Sequence, residues 1–350
     1  MHQIVIHKRG GYERLRLEEQ ATPHVPRDHV HVAVAGIGVN YADCLVRMGL
    51  YRSAREYVGW PITPGFEVSG HVVRVGDGVT DLEVGQPVMA ATRFGGYTSD
   101  LVVPRRQVFA PPDGWSLVEA AGFLTTHLTA YYAMVELANP RPGANVLVHS
   151  AAGGVGGALV RIARKLDARV VGVVGGPHKI QVALEAGCDV VIDKSRESLW
   201  SAAEHHAPAG YDVILDANGV TTLRHSYAHL APTGRLVVYG FHGMIPRPGQ
   251  RLRWLRLLWH WLLTPRFDPL DLTTRNRSVM GFNLSYLFDH AVLLQRAVDA
   301  LRQWAADGTL PPPPTRTYPL GRADEAHRDL ESGETVGKLV LVPPRSDRGR

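Results

Sequence analysis

A glycine-rich turn gives the clearest chemical signal in this sequence. The apolar segment 145–149 leads directly into Ser150-Ala151-Ala152-Gly153-Gly154-Val155-Gly156-Gly157 and then into a predicted helix. Glycines let a backbone approach a pyrophosphate closely, and a helix N-terminus offers N–H groups and a positive dipole end. This order predicts a dinucleotide site formed by Ala152, Gly153, Gly154, Val155 and Gly156. No Gly-Lys-Ser/Thr follows, which argues against a P-loop, and the alternative is a glycine-rich helix start used only for packing.

The end of the next predicted strand indicates which nicotinamide cofactor binds. An NAD site usually carries an acidic residue about 20 residues after the glycine turn. Here the strand 169–174 is followed by Gly175, Gly176, Pro177, His178 and Lys179, with no carboxylate. Because a lysine attracts a 2′-phosphate that a carboxylate would repel, Gly175 and Lys179 predict NADPH. Lys194, after the third strand, either joins this pocket or is a solvated surface lysine.

Alternating strands and helices must position these residues. Strands are predicted at 144–149, 169–174, 189–192, 211–216, 234–240 and 278–283, with helices at 155–167, 178–186, 196–206 and 221–231. This spacing predicts an α/β doubly wound parallel sheet. Residues 1–110 have short alternating strands between Gly and Pro turns instead, which predicts a barrel or sandwich. Long helices are predicted at 117–139 and 286–307, and a final strand at 336–342.

Composition and cysteine content narrow the class of protein. The chain has 350 residues, 45% of them hydrophobic, which indicates a globular protein of two domains or one large one. A net charge of +5 without any nucleic-acid motif gives no support for nucleic-acid binding. Cys44 and Cys188 cannot form a disulfide framework, which favours a cytoplasmic protein. We expect neither a signal peptide nor a membrane-spanning helix.

Several motifs follow one another along the chain, at 38–43, 47–51, 64–70, 85–89, 128–131, 150–156 and 337–341. Together they resemble the quinone oxidoreductase branch of the medium-chain dehydrogenase/reductase superfamily over nearly the whole chain. Segment 239–287 is most similar to the vesicle amine transport protein homologues. The resemblance implies a GroES-like β-barrel domain from residues 1–120 and 286–350 and a Rossmann NADPH-binding domain from 121–285. It also implies an active site in the cleft between the domains and a homodimer.

A catalytic zinc is not expected. Zinc dehydrogenases of this superfamily take a histidine ligand from a Gly-His-Glu motif, but Phe66 stands between Gly65 and Glu67 here, and its side chain cannot bind a metal. Cys44 follows Asp43, whereas the cysteine ligand of those enzymes precedes the corresponding position. We therefore interpret Cys44 as a small packed residue and predict no metal site.

Without zinc, another group must stabilise the negative charge that forms when hydride adds to a quinone or an enone. Resemblance to enoyl-thioester reductases implies Tyr51 as the proton donor, at the corresponding Gly-x-Tyr position. Asn40 is the second catalytic candidate, as a donor to substrate or cofactor ribose. The alternatives are a wall residue for Tyr51 and a turn residue for Asn40, and quinone reduction can also take its proton from water.

Further cofactor contacts carry over from the family one position at a time. The resemblance assigns Asp216 and Asn218 to the adenosine side, Gly240 and Phe241 to the nicotinamide-side ribose, and Lys338 to the phosphates. It places three further residues near the nicotinamide, namely Thr129, Phe282 and Asn283.

An insertion at about 245–267 is rich in Trp and Arg. Its central part, 247–263, predicts an apolar helix with a basic N-terminal portion. Such a helix can form a substrate lid, an oligomer contact or a peripheral membrane contact. The whole sequence favours an NADPH-dependent reductase of small quinones or α,β-unsaturated carbonyls. The alternatives are an enoyl-thioester reductase and a non-catalytic NADPH-binding protein with membrane or partner contacts.

Overall fold

The computed structural model describes residues 1–244 and 262–344. The chain divides into two compact units: residues 129–283 form the central unit, and residues 1–128 with those from 284 onward form the flanking unit. The predicted helix at 247–263 lies outside the described residues up to Trp261. Within the described residues, no helix combines the length and the apolarity needed to cross a membrane.

The elements are numbered in chain order. The strands are β1 (His2–Val5), β2 (Arg16–Glu19), β3 (His29–Gly38), β4 (Glu67–Val75), β5 (Pro87–Ala91), β6 (Asp100–Pro104), β7 (Val108–Phe109), β8 (Asn145–His149), β9 (Arg169–Val174), β10 (Val190–Asp193), β11 (Tyr211–Asp216), β12 (Leu230–Val238), β13 (Ser278–Gly281), β14 (Thr315–Pro319) and β15 (Lys338–Val342). The α-helices are α1 (Tyr41–Met48), α2 (Arg52–Tyr57), α3 (Leu117–Ala120), α4 (Leu124–Tyr131), α5 (Gly154–Lys165), α6 (Ile180–Ala186), α7 (Leu199–His206), α8 (Leu223–Ala228), α9 (Pro269–Arg275), α10 (Ala291–Ala306) and α11 (Ala323–Ser332). A π-helix spans Tyr132–Ala138.

The central unit is built on a six-stranded parallel sheet in the order β10-β9-β8-β11-β12-β13. This is the strand order of dinucleotide-binding folds, in which the direction of winding reverses between β8 and β11. Leu147, Val171, Ile214 and Leu236 fill the core between the sheet and its helices. The prediction of a doubly wound parallel sheet is therefore confirmed.

The flanking unit is built mainly from antiparallel strands. Its larger sheet has the order β14-β15-β3-β4-β5-β7, with β6 paired to β3, and β1 pairs with β2. Val32, Val68, Val88 and Leu341 are fully buried in its core. This architecture confirms the predicted GroES-like domain.

The helix predicted at 117–139 was wrong as a single element. The chain instead forms α3, a turn, α4 and the π-helix. Gly122 lies in the turn, and a Cβ atom there would lie 2.4 Å from Cγ of Lys338. The backbone N–H of Thr125 donates to Glu67 at 2.9 Å, so a side chain from β4 interrupts helical continuity. The predicted helices at 221–231 and 286–307 are also shorter in the structure, at Leu223–Ala228 and Ala291–Ala306.

Candidate functional site

The glycine turn joins β8 to α5 at the carboxyl end of the central sheet. Gly153 is the N-cap residue and α5 begins at Gly154. The N–H groups of the first helical turn have no partner within the helix, so they are available to an anion. A Cβ atom at Gly156 would lie 2.1 Å from the carbonyl oxygen of Ser150, so no side chain fits there. The structure thus brings the predicted residues 152–156 together in one turn at the N-terminus of α5.

The predicted 2′-phosphate residues lie beside this turn. β9 and β10 are parallel neighbours, so their carboxyl ends are adjacent. A Cβ atom at Gly175 would lie 3.9 Å from Cε of Lys194, which places this lysine next to the end of β9. Lys179 ends the short helical turn that precedes α6. Asp193, at the end of β10, accepts hydrogen bonds from the backbone N–H and hydroxyl of Ser195 at 2.9 and 2.6 Å.

Asp216 organises the turn that follows β11. It is fully buried and accepts hydrogen bonds from the backbone N–H groups of Asn218 and Gly219 at 2.8 and 3.0 Å. The hydroxyls of Thr222 and Ser226 donate to it at 3.0 and 2.8 Å. Asp216 therefore has a structural role: its carboxylate holds the turn that places Asn218 after the end of β11.

His149 ends β8 immediately before the glycine turn, and sequence analysis overlooked it. Its Nε2 atom lies 3.3 Å from the Ser226 hydroxyl and 3.9 Å from Oδ2 of Asp216. Burial lowers the pKa of His149, and the positive charge of Lys194 lowers it further. The nearby Asp216 carboxylate acts in the opposite direction and raises it. A polar residue at the end of a mainly apolar strand was the available sequence signal.

The predicted nicotinamide-side residues follow the next strands of the same sheet. The ring of Phe241 packs on Gly219, where a Cβ atom would lie 2.5 Å from it, and Gly240 packs on the Ala217 carbonyl. The ring of Phe282 lies 4.8 Å from the ring of Tyr132. Asn283 comes directly after Phe282, and Thr129 lies on α4. The carboxyl ends of parallel strands are where open α/β sheets bind their ligands.

In the flanking unit, Asn40 lies in a buried network with Glu67 and Lys338. The Asn40 amide nitrogen donates to the Gly38 carbonyl at 3.2 Å and to Oε1 of Glu67 at 2.9 Å. The ammonium of Lys338 donates to Oδ1 of Asn40 and to Oε1 of Glu67, both at 2.7 Å. Both amide hydrogens of Asn40 are thus used inside the protein, which leaves it acceptor capacity only. Lys338 has a carboxylate as its partner inside the protein, and its phosphate contact stays a prediction.

Tyr51 belongs to an aromatic cluster with Phe66 and Phe94. The Tyr51 ring lies 5.6 Å from the Phe66 ring and 6.3 Å from the Phe94 ring, and the two phenylalanine rings lie 5.4 Å apart. Phe66 is 5% exposed and packs with Ile6, Val46, Ala54 and Ile62. An apolar ring therefore fills the position that supplies a histidine ligand in zinc dehydrogenases, and the residues around it do not fit a catalytic zinc.

Two family models match the chain. The model described as alcohol dehydrogenase GroES-like domain matches residues 26–113, and the model described as zinc-binding dehydrogenase matches residues 186–341. The second description names a metal that the Phe66 position cannot hold.

Relatives and solved structures extend over nearly the whole chain. The synaptic vesicle membrane protein VAT-1 homolog of Rattus norvegicus is 32% identical over 342 residues, which cover 97% of this chain and 83% of the relative. The quinone oxidoreductase of Escherichia coli, solved with NADPH, has a TM-score of 0.85 and 28% identity over 98% of this chain and 100% of its own. The CurK enoyl reductase has a TM-score of 0.82 and 25% identity over 98% and 99%.

Proposed function

We propose that this chain, which belongs to the quinone oxidoreductase branch of the medium-chain dehydrogenase/reductase superfamily, uses NADPH to reduce quinones or α,β-unsaturated carbonyls. Membership rests on the family models, on a relative that matches 97% of this chain and on the solved quinone oxidoreductase. One observation carries the finer proposal: the glycine turn lies beside Lys194 and Gly175, and no carboxylate follows β9. This combination suits a pyrophosphate with a 2′-phosphate next to it.

The residues of the central unit would hold the cofactor. The turn 152–156 offers N–H groups to the pyrophosphate, and Lys179 and Lys194 offer cations to the 2′-phosphate. Asn218, Gly240, Phe241, Phe282, Asn283 and Thr129 would contact the riboses and the nicotinamide. When bound, NADPH supplies the hydride. The Escherichia coli quinone oxidoreductase, which was solved with NADPH, supports this choice.

Tyr51 is the residue proposed to donate the proton. Its ring is held between Phe66 and Phe94, and these apolar rings exclude water from one side of the phenol. A proton delivered from the Tyr51 hydroxyl would neutralise the oxyanion or enolate of the reduced substrate. Asn40, whose amide hydrogens are already used, is proposed to position the loop before α1 instead of contacting substrate. We propose that Lys338 holds the Asn40 side chain in place through its hydrogen bond to Oδ1.

Enoyl-thioester reduction is the second candidate function. The structural likeness to the CurK enoyl reductase favours it. A parallel assay of quinones, simple enones and enoyl thioesters separates the two activities, because only the last class presents a carrier or coenzyme group. Turnover restricted to enoyl thioesters would favour the second candidate.

Assembly and location are proposals as well. We expect a cytoplasmic homodimer that contacts membranes peripherally through 247–263. Light scattering at several protein concentrations tests the dimer, and sedimentation with anionic vesicles tests the membrane contact. A monomer at all concentrations, or no vesicle binding at low salt, contradicts the respective proposal.

The deciding experiment is a titration of the purified protein with NADPH and NADH, followed by nicotinamide fluorescence. Loss of one charge-assisted phosphate contact typically costs about 1.5–3 kcal/mol, so Lys194→Glu should weaken NADPH binding by at least tenfold and leave NADH binding nearly unchanged. The matched charge control is Lys165→Glu, because Lys165 is an exposed lysine at the end of α5. Equal affinity for both nucleotides, or binding of neither, would sink the cofactor proposal.

A further inference from the structure

Three potential metal donors meet inside the flanking unit. A thiol from Cys44 on α1, an imidazole nitrogen from His327 and a carboxylate oxygen from Glu331, both on α11, lie within 4.8 Å of one another. Positions 327 and 331 are four apart, so they share one face of their helix. Cys44 and His327 are fully buried, and the Glu331 side chain is 2% exposed.

The hydrogen bonds of His327 fix which of its nitrogens is free. The Tyr97 hydroxyl donates to Oδ2 of Asp43 at 3.1 Å, and Nε2 of His327 lies 3.1 Å from the same hydroxyl oxygen. Because the hydroxyl hydrogen is used on Asp43, Nε2 must carry the imidazole proton in order to bond that oxygen. Nδ1 then has a lone pair, and it is a buried atom without a hydrogen-bond partner among the described residues. Neutral imidazole with a free lone pair is the form that binds metals.

The charges around the cluster can accommodate a divalent ion. Arg47 donates to Glu331, and the Tyr12 hydroxyl donates to Oε2 of Glu331 at 2.6 Å. Metal binding releases the thiol proton, so the Cys44 thiolate and the Glu331 carboxylate become anionic ligands. These two anionic ligands match the charge of a divalent ion.

We propose that Cys44, His327 and Glu331 form a zinc site that cross-links α1 to α11. A thiolate, an imidazole and a carboxylate are ligands that Zn²⁺ takes in tetrahedral sites. The three ligands are closed off from solvent, and they supply three of the four positions of a tetrahedral site. The prediction of Cys44 as a packed residue and of no metal site considered only the zinc positions of the zinc dehydrogenases, and His327 and Glu331 lie almost at the other end of the chain from Cys44.

Cobalt spectroscopy of the full chain tests the site directly. The purified protein is stripped with a chelator and titrated with Co²⁺ under reducing conditions. We expect about one Co²⁺ per chain, with a near-ultraviolet thiolate-to-cobalt absorption and the intense visible bands of tetrahedral coordination. Zn²⁺ should displace these bands and raise the Tm, because it binds the folded state.

Two matched variants assign the sulfur ligand. Cys44→Ser should lose the thiolate-to-cobalt absorption and the zinc-dependent rise in Tm, whereas Cys188→Ser, the other buried cysteine, should keep both. If Cys44→Ser does not fold, the thiolate-to-cobalt absorption of the wild type and of Cys188→Ser identifies the sulfur ligand, because the chain has only these two cysteines. Absence of the absorption from the wild type, or its persistence in Cys44→Ser, overturns the proposal. Neither readout depends on reductase activity.

Discussion

The ammonium of Lys338 lies 2.7 Å from Oε1 of Glu67, and the two side chains are only 5% and 1% exposed. The pair joins β15 to β4, which are far apart in sequence. The other carboxylate oxygen accepts the backbone N–H of Thr125 at 2.9 Å, at the start of α4. One ion pair therefore holds together β4, β15 and the start of α4.

Removing one partner of this pair should be costly. Lys338→Met would leave the Glu67 charge buried without its counter-ion, and we expect a loss of about 3–5 kcal/mol in the free energy of unfolding. Urea denaturation measures it. The double variant Glu67→Gln/Lys338→Met should recover much of the loss, while exposed Lys165→Met should change stability by less than about 0.5 kcal/mol. Additive losses in the double variant would contradict direct coupling.

The hydroxyl of Tyr51 should matter more than its ring. Tyr51→Phe keeps the packing against Phe66 and Phe94, so the affinity for NADPH should not change. If Tyr51 donates the proton, kcat for enones should fall by about 10²-fold. Tyr57→Phe, an exposed tyrosine on α2, is the control. Unchanged turnover of Tyr51→Phe across a range of pH would show that the proton comes from elsewhere.

Two neighbouring glycines in the cofactor turn should respond differently to alanine. Gly156→Ala would place a Cβ atom 2.1 Å from the Ser150 carbonyl, so the turn must move. We expect a loss of about 1–3 kcal/mol in stability and at least tenfold weaker NADPH binding. At Gly157 the nearest atom would be 3.7 Å away, so Gly157→Ala should bind normally and gain about 0.5–1 kcal/mol from helix propensity. Equal behaviour of the two variants in fluorescence titration would refute the close-approach argument.

His149 should make the protein sensitive to acid. Burial lowers the pKa of His149 below its ordinary value of 6.5. At pH values between the folded-state pKa and 6.5, the unfolded chain therefore binds more protons than the native state. Stability should therefore fall as pH decreases below about 6.5. His149→Gln should flatten this part of the Tm profile, and substitution of the exposed His205 on α7, His205→Gln, should not. Identical slopes for wild type and His149→Gln would contradict a neutral buried histidine.

Much of the central unit could be predicted because its signals are local. The glycine turn, the apolar strands and the missing carboxylate after β9 are each read within about 30 residues, which is the length of one strand-helix-strand unit. The residues at the strand ends fall together because parallel strands share one carboxyl edge. Hence positions such as Asn218 and Gly240 follow once the strand order is known.

The features that sequence analysis missed depend on contacts between distant residues. Lys338 packs on Gly122 and breaks the helix that local propensity predicts at 117–139. The same lysine donates to the Asn40 carbonyl oxygen, and Glu67 and the Gly38 carbonyl take the two amide hydrogens of Asn40. Cys44 and His327 gain a common environment only through the packing of α1 on α11. No local pattern encodes these contacts, although the spacing of His327 and Glu331 on one helix was a visible hint.

The π-helix at Tyr132–Ala138 also constrains how this chain can change in length during evolution. A wide helical turn holds one residue more than an α-helical turn, so a single deletion in this segment would restore ordinary helix. Each residue in an α-helix rotates the following side chains by about 100°. Tyr132, the first residue of this segment, has its ring 4.8 Å from the ring of Phe282, so the deletion would alter the helix that carries this contact. Substitutions in this segment keep the helical geometry, whereas an insertion or deletion of one residue changes the helix type and so affects the packing against Phe282 after β13.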